Sequence, residues 1–264
     1  MPMIAAADGC PLWVEFEGPP QAPVLVLSNS LGTDLHMWDA QAALFAQSFR
    51  VVRYDRRGHG KSGVPHGPYT MEQLARDALA IADALGLGRF HWCGLSMGGM
   101  EGMWLAAHAA ARLDRLILSN TCCFYPDKPV WDRRIAAVRS VGDLSLLADW
   151  ILRLWFSPRF LTGAGAAAVT PFRSMLSATQ IEGYIGCCEA IRDMDHRDIL
   201  PHIHAPTLVI AGRYDQATPV AAAKLIHSRI RDAGLEIFDS GHFTNVEQPE
   251  AYARLVLDFL RCPT

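Results

Sequence analysis

The sequence predicts an α/β protein built on a mostly parallel sheet that helices flank and a helical insert interrupts. Along most of the 264 residues, short runs of β-branched and apolar side chains alternate with longer amphipathic segments. That alternation is typical of parallel strands joined by crossover helices. It stops between about Cys122 and His196, where the pattern is helical. Since 50% of the residues are hydrophobic, the chain can bury a substantial core, and we expect one large domain that carries the insert.

Six short segments are predicted to be the strands of this sheet. They are residues 24–27, 51–54, 90–93, 116–118, 207–211 and 236–238. The central ones are apolar almost without interruption, which indicates burial on both faces beneath helices. The clearest helix is predicted over 71–85, where Thr70 is a candidate N-cap, Gln73 lies three residues later and Gly86 closes the segment.

The chain is predicted to have three parts. Residues 1–121 and 197–264 are expected to form the α/β core, and residues 122–196 a helical cap. Helices are predicted in the cap over 131–141, 144–155 and 179–192, and a glycine- and alanine-rich run at 163–168 is expected to be a mobile joint. Open α/β sheets bind ligands at the carboxyl ends of their strands, so we expect the cap to cover that edge.

Charge and composition exclude several classes of partner. The 24 basic and 27 acidic residues give a net charge of -3, without the positive surface that nucleic acid binding requires. No stretch approaches the roughly 20 apolar residues of a membrane span, and the first nine residues do not resemble a secretory signal. Seven cysteines, four of them in the pairs Cys122-Cys123 and Cys187-Cys188, fit neither a disulfide framework nor a zinc site. We expect a reduced, cytoplasmic protein and leave its oligomeric state open.

The segment Gly94-Leu95-Ser96-Met97-Gly98 follows a predicted strand and opens a predicted helix. In this context, a serine between two glycines indicates a nucleophile held on a sharp strand-to-helix turn. Glycines two residues before and after the serine let the strand and the helix approach each other closely. We therefore predict that Ser96 is a nucleophile, and the alternative is a tight turn whose serine has no chemical role.

A serine hydroxyl is a weak nucleophile until a histidine removes its proton, and a carboxylate must hold that histidine. Among ten histidines, His242 is the candidate base because it follows the last predicted strand. Asp215 occupies the equivalent place after the strand 207–211, and the order Ser, Asp, His is the one expected here. Three rival acids lie at the end of the predicted cap, where capping or salt-bridging of a helix end is expected: Asp193, Asp195 and Asp198.

Attack on a carbonyl carbon also requires N–H donors that stabilise the negative oxygen of the tetrahedral intermediate. One predicted donor is the backbone N–H of Met97, directly after the serine. The other is predicted to be the N–H of Leu31, in the loop that follows the strand 24–27. Both donors are backbone groups, so side-chain substitution tests them poorly.

With these residues in order, the chain resembles the α/β-hydrolase fold enzymes, and more narrowly the 3-oxoadipate enol-lactonases of the bacterial β-ketoadipate pathway. Residues 28–33, Ser-Asn-Ser-Leu-Gly-Thr, are similar to the enol-lactonase form of the loop after the first core strand. Residues 54–62 match the Asp-x-Arg-Gly-x-Gly-x-Ser loop of the wider fold, which is expected to be a structural turn. The cap segments that begin at Trp131 and Trp155 also resemble that subfamily and carry the narrower assignment.

The resemblance implies hydrolysis of a small anionic enol-lactone to 3-oxoadipate through an acyl-enzyme, with no metal or organic cofactor. An anionic substrate needs a cation, and a guanidinium group grips a carboxylate best. Arg134 is the preferred candidate because it lies three residues after Trp131 on one predicted helix face, although a solvated surface arginine is the alternative. Arg133 and Arg139 are the other candidates, and Trp131 and Trp155 are either substrate walls or core aromatics.

Other functions fit the same residues. A general carboxylesterase or a C–C bond hydrolase would share the fold and the triad, because the cap chooses the substrate. A haloalkane dehalogenase is disfavoured, since its nucleophile is a carboxylate rather than a serine. A ligand receptor that retains a triad is a rival from another class, and rapid multiple turnover of an enol-lactone would discard it. His202 and His204 are interpreted as solvated side chains rather than metal ligands.

Overall fold

The computed structural model describes residues 2–163 and 165–262. Its centre is an eight-stranded sheet in the order β1-β2-β4-β3-β5-β6-β7-β8. The strands are β1 (Met3–Ala5), β2 (Pro11–Glu17), β3 (Val24–Ser28), β4 (Arg50–Tyr54), β5 (Phe90–Leu95), β6 (Leu113–Ser119), β7 (Thr207–Gly212) and β8 (Gly234–Phe238). Strands β3 to β8 pair in parallel, whereas β1 pairs with β2 and β2 with β4 in antiparallel fashion. The predicted α/β class and the mostly parallel sheet are confirmed.

The six predicted strands lie inside β3 to β8, and the first two strands are missing from the prediction. Every residue of β5 and β7 is buried, which explains why the central strands are apolar without interruption. Strand β2 instead alternates buried and more exposed residues and begins at Pro11. An alternating strand of this kind lacks the continuous apolar run on which the prediction depended, and β1 has only three residues.

The described ranges contain eleven α-helices. They are α1 (Asp39–Phe45), α2 (Met71–Ala84), α3 (Met97–His108), α4 (Lys128–Val141), α5 (Ala148–Trp155), α6 (Pro158–Thr162), α7 (Ala166–Ala178), α8 (Ile181–Asp193), α9 (Val220–Arg229), α10 (Thr244–Glu247) and α11 (Pro249–Arg261). Helix α2 begins as predicted, because the Thr70 side chain accepts a hydrogen bond from the Gln73 N–H at 3.1 Å. In the described part of the chain, no helix has the length and apolarity that crossing a bilayer requires.

Helices α4 to α8 lie between β6 and β7, in the segment predicted to be the cap. The predicted helices at 131–141 and 179–192 correspond to α4 and α8, whereas residues 144–147 form a 3-10 helix before α5. Helices α6 and α7 are missing from the prediction. In the run 163–168, where a mobile joint is expected, residues 166–168 belong to α7 instead, and Ala164 lies outside the described residues. We propose that residues 122–196 act as a cap.

The seven cysteines of the chain are all free. Both vicinal pairs are buried, and so is Cys93 in β5. Burial raises the pKa of the Cys93 thiol to about 12, so this side chain stays protonated and packs as a small hydrophobic group.

A buried ion pair joins helix α3 to the ends of two neighbouring strands. The carboxylate of Glu101, in α3, accepts hydrogen bonds from Arg56 Nε at 2.6 Å, Ser28 Oγ at 2.6 Å and Tyr54 OH at 2.9 Å. Arg56 Nη2 in turn donates to the carbonyl of Asn29 at 2.9 Å. The side chains of Arg56 and Glu101 are exposed by only 2% and 0%. The pair therefore fixes the loops after β3 and β4 against the first turns of α3.

We expect Glu101→Gln to lower the free energy of unfolding by about 3–5 kcal/mol, because it leaves the buried guanidinium of Arg56 without a counter-charge. Urea denaturation followed by circular dichroism measures this change.

The matched control is Asp114→Asn, which breaks an exposed ion pair of similar geometry. Asp114 Oδ1 accepts from Arg89 Nε at 2.5 Å, and the two side chains are 38% and 57% exposed. The expected loss is below about 1 kcal/mol, because solvent screens such pairs. If the two variants lose the same free energy of unfolding, the buried Arg56–Glu101 pair contributes no more to stability than an exposed ion pair.

Candidate active site

Ser96 lies at the junction of β5 and α3 in a backbone conformation that few residues adopt. Its φ is 57° and its ψ is -113°. A Cβ atom at Gly94 would lie 2.1 Å from the carbonyl oxygen of Gly98, and a Cβ at Gly98 would lie 2.3 Å from the carbonyl oxygen of Ser28. Only glycine fits at these two positions. The conformation costs on the order of 1–3 kcal/mol, which the surrounding structure must offset.

Two hydrogen bonds hold this strained serine. The N–H of Ser96 donates to the carbonyl of Ser119 in the neighbouring strand β6 at 2.9 Å. The hydroxyl of Thr121 donates to the carbonyl of Ser96 at 2.6 Å. The serine backbone is therefore anchored on both sides of its Cα, and its side chain is free to face the carboxyl edge of the sheet.

Asp215 and His242, from the loops after β7 and β8, meet in a hydrogen bond. His242 Nδ1 lies 2.8 Å from Asp215 Oδ2. The same carboxylate accepts from the N–H groups of Ala217 at 2.9 Å and Thr218 at 2.8 Å, from the Thr218 hydroxyl at 2.8 Å and from Asn120 Nδ2 at 3.2 Å. The Asp215 carboxylate accepts a hydrogen bond from each of its other neighbours, so we assign it as an acceptor from His242 too. His242 therefore carries its proton on Nδ1, and its Nε2 is left as a proton acceptor.

The backbone of His242 is also tied to the end of helix α5. The N–H of His242 donates to the carbonyl of Trp155 at 2.8 Å. Next to it, the carboxylate of Glu247 accepts from the N–H of Ser157 at 2.7 Å and from the N–H of Gly241 at 3.1 Å. The histidine loop and the segment after α5 are therefore held as one unit.

Ser96 and His242 line the same cavity, with a volume of about 200 Å³. Four further residues that the sequence predicted for the site also line this cavity: Leu31, Trp131, Arg134 and Trp155. Trp150 of α5, which was not predicted, lines it as well. The structure thus brings Ser96 and His242 to one cavity that α4 and α5 help to enclose. The wall of this cavity is mostly apolar, as the walls of small-molecule sites usually are.

The two backbone N–H groups predicted to bind an oxyanion lie on loops that contact each other. The N–H of Gly98, at the start of α3, donates to the carbonyl of Asn29 at 3.1 Å, which holds the loop of Leu31 against the turn of Met97. Within the described residues, neither the N–H of Leu31 nor that of Met97 has a protein acceptor. Both donors are thus available to a negative oxygen above Ser96.

His59 supports this loop, and the sequence analysis did not identify its role. The N–H of Gly32, next to Leu31, donates to His59 Nε2 at 2.9 Å. The His59 ring is 1% exposed. Burial and the neighbouring Arg56 guanidinium lower the pKa of His59 to about 3, so the ring is neutral and can accept this bond. The motif of residues 54–62 indicated a turn and left its partner in space undetermined.

Arg134 is a cation that aromatic rings surround. Its Cζ lies 5.2 Å from the ring centroids of Trp131 and Trp150 and 5.5 Å from that of Tyr184. Its Nε donates to the hydroxyl of Tyr184 at 2.9 Å, and its Nη2 makes a second bond to the same oxygen. No carboxylate lies within 4.0 Å of Arg134 among residues 2–163 and 165–262. The charge is therefore available to an anion in the cavity.

The two alternative arginines differ from Arg134. Arg133 is 69% exposed and lies 3.7 Å from Asp127. Arg139 pairs with Glu189 at 3.5 Å. Each has an acidic partner and neither is among the side chains that line the cavity described above. Of the three arginine candidates, only Arg134 both lines this cavity and lacks an acidic partner within the described residues.

The three rival acids lie on the surface of the chain. Asp193 accepts from Arg192 at 2.7 Å and Asp195 from Arg197 at 2.6 Å, and these hydrogen bonds lower the pKa of both carboxyls. Asp198 is exposed. Asp193 and Asp195 therefore form ion pairs near the end of a helix, as expected for these residues.

Comparison with known proteins decides the family. Residues 23–138 match the α/β-hydrolase fold family. A 3-oxoadipate enol-lactonase from Acinetobacter baylyi is 39% identical, over 90% of this chain and 89% of its own length. The chain belongs to the α/β-hydrolase family. The resemblance found in the sequence is thereby confirmed, and the protein is a hydrolase of this fold.

Solved structures of two further proteins are similar to this hydrolase throughout. The crystal structure of a hydrolase from Pseudomonas aeruginosa PA01 is 46% identical with a TM-score of 0.96, covering 99% of this chain and 98% of its own. The enol-lactonase from Burkholderia xenovorans LB400 is 40% identical with a TM-score of 0.95, covering 98% of this chain and 99% of its own.

A sequence relative with a different name is also similar over nearly its whole length. This Caulobacter protein, named as a proposed carbamate hydrolase, RutD, is 31% identical over 94% of this chain and 95% of its own.

The depressed pKa of His59 predicts a pH dependence of the hydrolase's stability. An unfolded histidine titrates near 6.5, above the native value of about 3, so the unfolded state binds a proton that the native state does not. The contribution of His59 is present above about pH 6.5 and is lost as the pH falls toward 3. When the pH falls from 7 to 5, the free energy of unfolding of the wild type should decrease through His59. In His59→Gln, we expect this decrease to be smaller by about 2 kcal/mol.

Urea denaturation at the two pH values measures this difference, and the glutamine carbonyl keeps an acceptor for the N–H of Gly32. The control is His66→Gln, at an exposed histidine, which should follow the wild-type pH dependence. Identical pH dependence in His59→Gln and the wild type would mean that His59 is not held neutral in the native state.

Proposed function

We propose that this hydrolase opens 3-oxoadipate enol-lactone to 3-oxoadipate with Ser96, Asp215 and His242 as its catalytic triad. The observation that carries the proposal is Arg134, a cation without an acidic partner in the cavity that Ser96 and His242 share. A hydrolase of neutral esters has no use for such a group, whereas the lactone carries a carboxylate arm. The names of the enol-lactonases from Acinetobacter and Burkholderia support the same substrate.

In the proposed reaction, His242 Nε2 takes the proton of the Ser96 hydroxyl as the oxygen attacks the lactone carbonyl carbon. The N–H groups of Leu31 and Met97 stabilise the resulting oxyanion. Collapse of the intermediate breaks the ring C–O bond and expels the enolate, to which His242 returns the proton. Since the ring opens, the acyl group and the enol remain parts of one molecule bound to Ser96.

Release of that molecule requires water. His242 takes a proton from a water molecule, whose oxygen attacks the acyl carbon. The tetrahedral intermediate then collapses, the bond between the acyl carbon and Ser96 Oγ breaks, and His242 gives its proton to Ser96 Oγ. The freed enol becomes the ketone by losing its O–H proton and gaining a proton on carbon. The product is the dicarboxylate 3-oxoadipate, because hydrolysis of the ester creates a second carboxyl group. Asp215 holds the histidine ring through its Nδ1 proton and stabilises the imidazolium in both steps.

Specificity is proposed to come from the helical segment. The guanidinium of Arg134 would bind the carboxylate arm, and Trp131 and Trp155 would pack on the apolar ring of the substrate. The indole of Trp131 is 5% exposed, and its Nε1 has no hydrogen-bond partner among the described residues. This buried donor is available to a polar atom of the substrate.

Hydrolysis of a small carbamate is the second candidate, which the similarity to the RutD protein favours. The same triad would attack a carbamate carbonyl, so the core does not discriminate between the two reactions. Parallel assays of kcat/KM with the enol-lactone and with a neutral carbamate separate them, and the proposal requires the lactone to be the better substrate.

We expect the enzyme to consume 3-oxoadipate enol-lactone with rapid multiple turnover and Ser96→Ala to lower kcat by at least about 10⁴-fold, because it removes the nucleophile. Loss of the ultraviolet absorbance of the lactone measures both rates. Near-wild-type turnover by Ser96→Ala would overturn the assignment of the nucleophile. Stoichiometric acylation without turnover would instead favour a receptor.

We expect Arg134→Ala to raise KM for the anionic lactone by about 10–100-fold, since a charge-assisted hydrogen bond contributes about 1.5–3 kcal/mol. KM for a neutral aryl ester should change little. Steady-state kinetics with both substrates measures the ratio, and Arg133→Ala, at the exposed neighbouring position, is the control that should leave it unchanged. An equal rise for the two substrates in Arg134→Ala would reject the carboxylate contact.

A further inference from the structure

Trp150, in helix α5, lies between the cationic site and solvent. We propose that it determines specificity by shielding the guanidinium of Arg134 from water and salt, which strengthens the hold of Arg134 on an anionic substrate. The inference rests on the proposed function, because it requires that Arg134 bind a carboxylate. In this role, the Trp150 indole would not need to bind the substrate carboxylate itself. It would instead lower the effective dielectric constant around the Arg134 guanidinium.

Three aromatic rings face the guanidinium of Arg134, and they differ in exposure. Trp131 is 5% exposed and Tyr184 is 0% exposed, so both belong to the interior. Trp150 is 46% exposed, although its ring centroid lies as close to Arg134 Cζ as that of Trp131, at 5.2 Å. Trp150 is therefore the ring of the three that borders solvent.

The hydrogen bonds of Arg134 leave one edge of the guanidinium for a ligand. Nε and Nη2 both donate to the hydroxyl of Tyr184, which holds the group in one orientation. Within the described residues, Nη1 donates to no protein acceptor. Because Arg134 and Trp150 line the cavity that contains Ser96, an anion bound at Nη1 would lie beside the Trp150 ring.

The physical effect of such a cover is large. Two unit charges about 4 Å apart attract each other about fourfold more strongly at an effective dielectric constant of 20 than in water. Dissolved ions screen exposed charges over about 10 Å at 0.1 M salt and screen enclosed charges much less. The indole also compensates the cation through its ring face while no anion is bound. Trp150 thus keeps Arg134 partly dehydrated without neutralising it.

Packing alone does not account for a half-exposed tryptophan at this point. Helix α5 has other anchors: Ile151 and Leu152 are buried, and Asp149 accepts a hydrogen bond from Arg173 of α7. The exposed side chain of Val130, in α4, lines the same cavity as Trp150. The two apolar side chains therefore border the entrance, where water would otherwise reach Arg134.

The experiment compares two probe substrates, an aryl ester with a terminal carboxylate and a neutral aryl ester of the same length. KM is measured for each at about 0.01 M and about 1 M salt, where the Debye length is about 30 Å and about 3 Å. For the wild type, we expect KM of the anionic ester to change by less than about threefold between these salts, because the bound charges are enclosed.

For Trp150→Ala, we expect KM of the anionic ester to rise about tenfold at low salt, because water then reaches one face of the guanidinium and weakens part of its attraction for the carboxylate, and to rise further with salt. The readout is the ratio of KM for the anionic ester to KM for the neutral ester, because this ratio cancels any change that the smaller side chain makes to the packing of the cavity. Trp150→Phe keeps an aromatic cover and should restore most of the anion preference. Tyr214→Ala removes another exposed aromatic, 53% exposed, as the matched control, and should behave as the wild type.

The outcomes separate this inference from the proposed function. If Arg134→Ala abolishes the preference for the anionic ester while Trp150→Ala keeps both the preference and the wild-type salt dependence, the shielding role is wrong and the anion site stands. If the wild type has no anion preference and Arg134→Ala changes nothing, the anion site itself is wrong and the shielding role falls with it. A loss of preference in Trp150→Ala that Trp150→Phe restores supports the proposal.

Discussion

The buried ion pair between Arg56 and Glu101 holds together the three chain segments from which the candidate site is built. Glu101 belongs to the helix that begins at Ser96, and Arg56 follows β4 and reaches the carbonyl of Asn29 in the loop of Leu31. Placing two charges in a core is costly, and the bonds from Ser28 and Tyr54 offset part of that cost. Moving α3 or the loop after β4 would separate the buried charges, and moving the loop after β3 would break the hydrogen bonds that Ser28 and Asn29 make with them, so the relative positions of the three segments are fixed.

That rigidity explains how the fold tolerates strain at Ser96. The serine occupies a left-handed φ, and glycines at both sides allow strand, helix and loop to approach within van der Waals contact. Since the strained turn and the loop of Leu31 share one framework, the positions of Ser96 and of the Leu31 and Met97 N–H groups are set before any substrate arrives. Preorganised donors of this kind stabilise a developing charge without having to reorganise during the reaction.

In the proposed function, recognition and chemistry are divided between two parts of the chain whose side chains line one cavity. The core supplies Ser96, Asp215 and His242, whereas α4 and α5 supply aromatic rings and Arg134. The two parts are joined where the N–H of His242 donates to the carbonyl of Trp155. Many α/β hydrolases can share such a core, so the arrangement around Arg134 carries the proposed preference for an anionic lactone.

The amino-acid sequence by itself determined the six parallel strands and the positions of Ser96, Asp215 and His242 along them, because apolar runs and strand-end motifs are local patterns. It also indicated Arg134, but Arg133 and Arg139 fitted the same pattern. Only the tertiary structure decided that Arg134 faces aromatic rings while its neighbours meet carboxylates, and that His59 and Glu101 hold the loops of the candidate site in place. Their partners lie tens of residues away in the chain. Helical periodicity states which residues share a face of a helix, but it does not state what that face will meet.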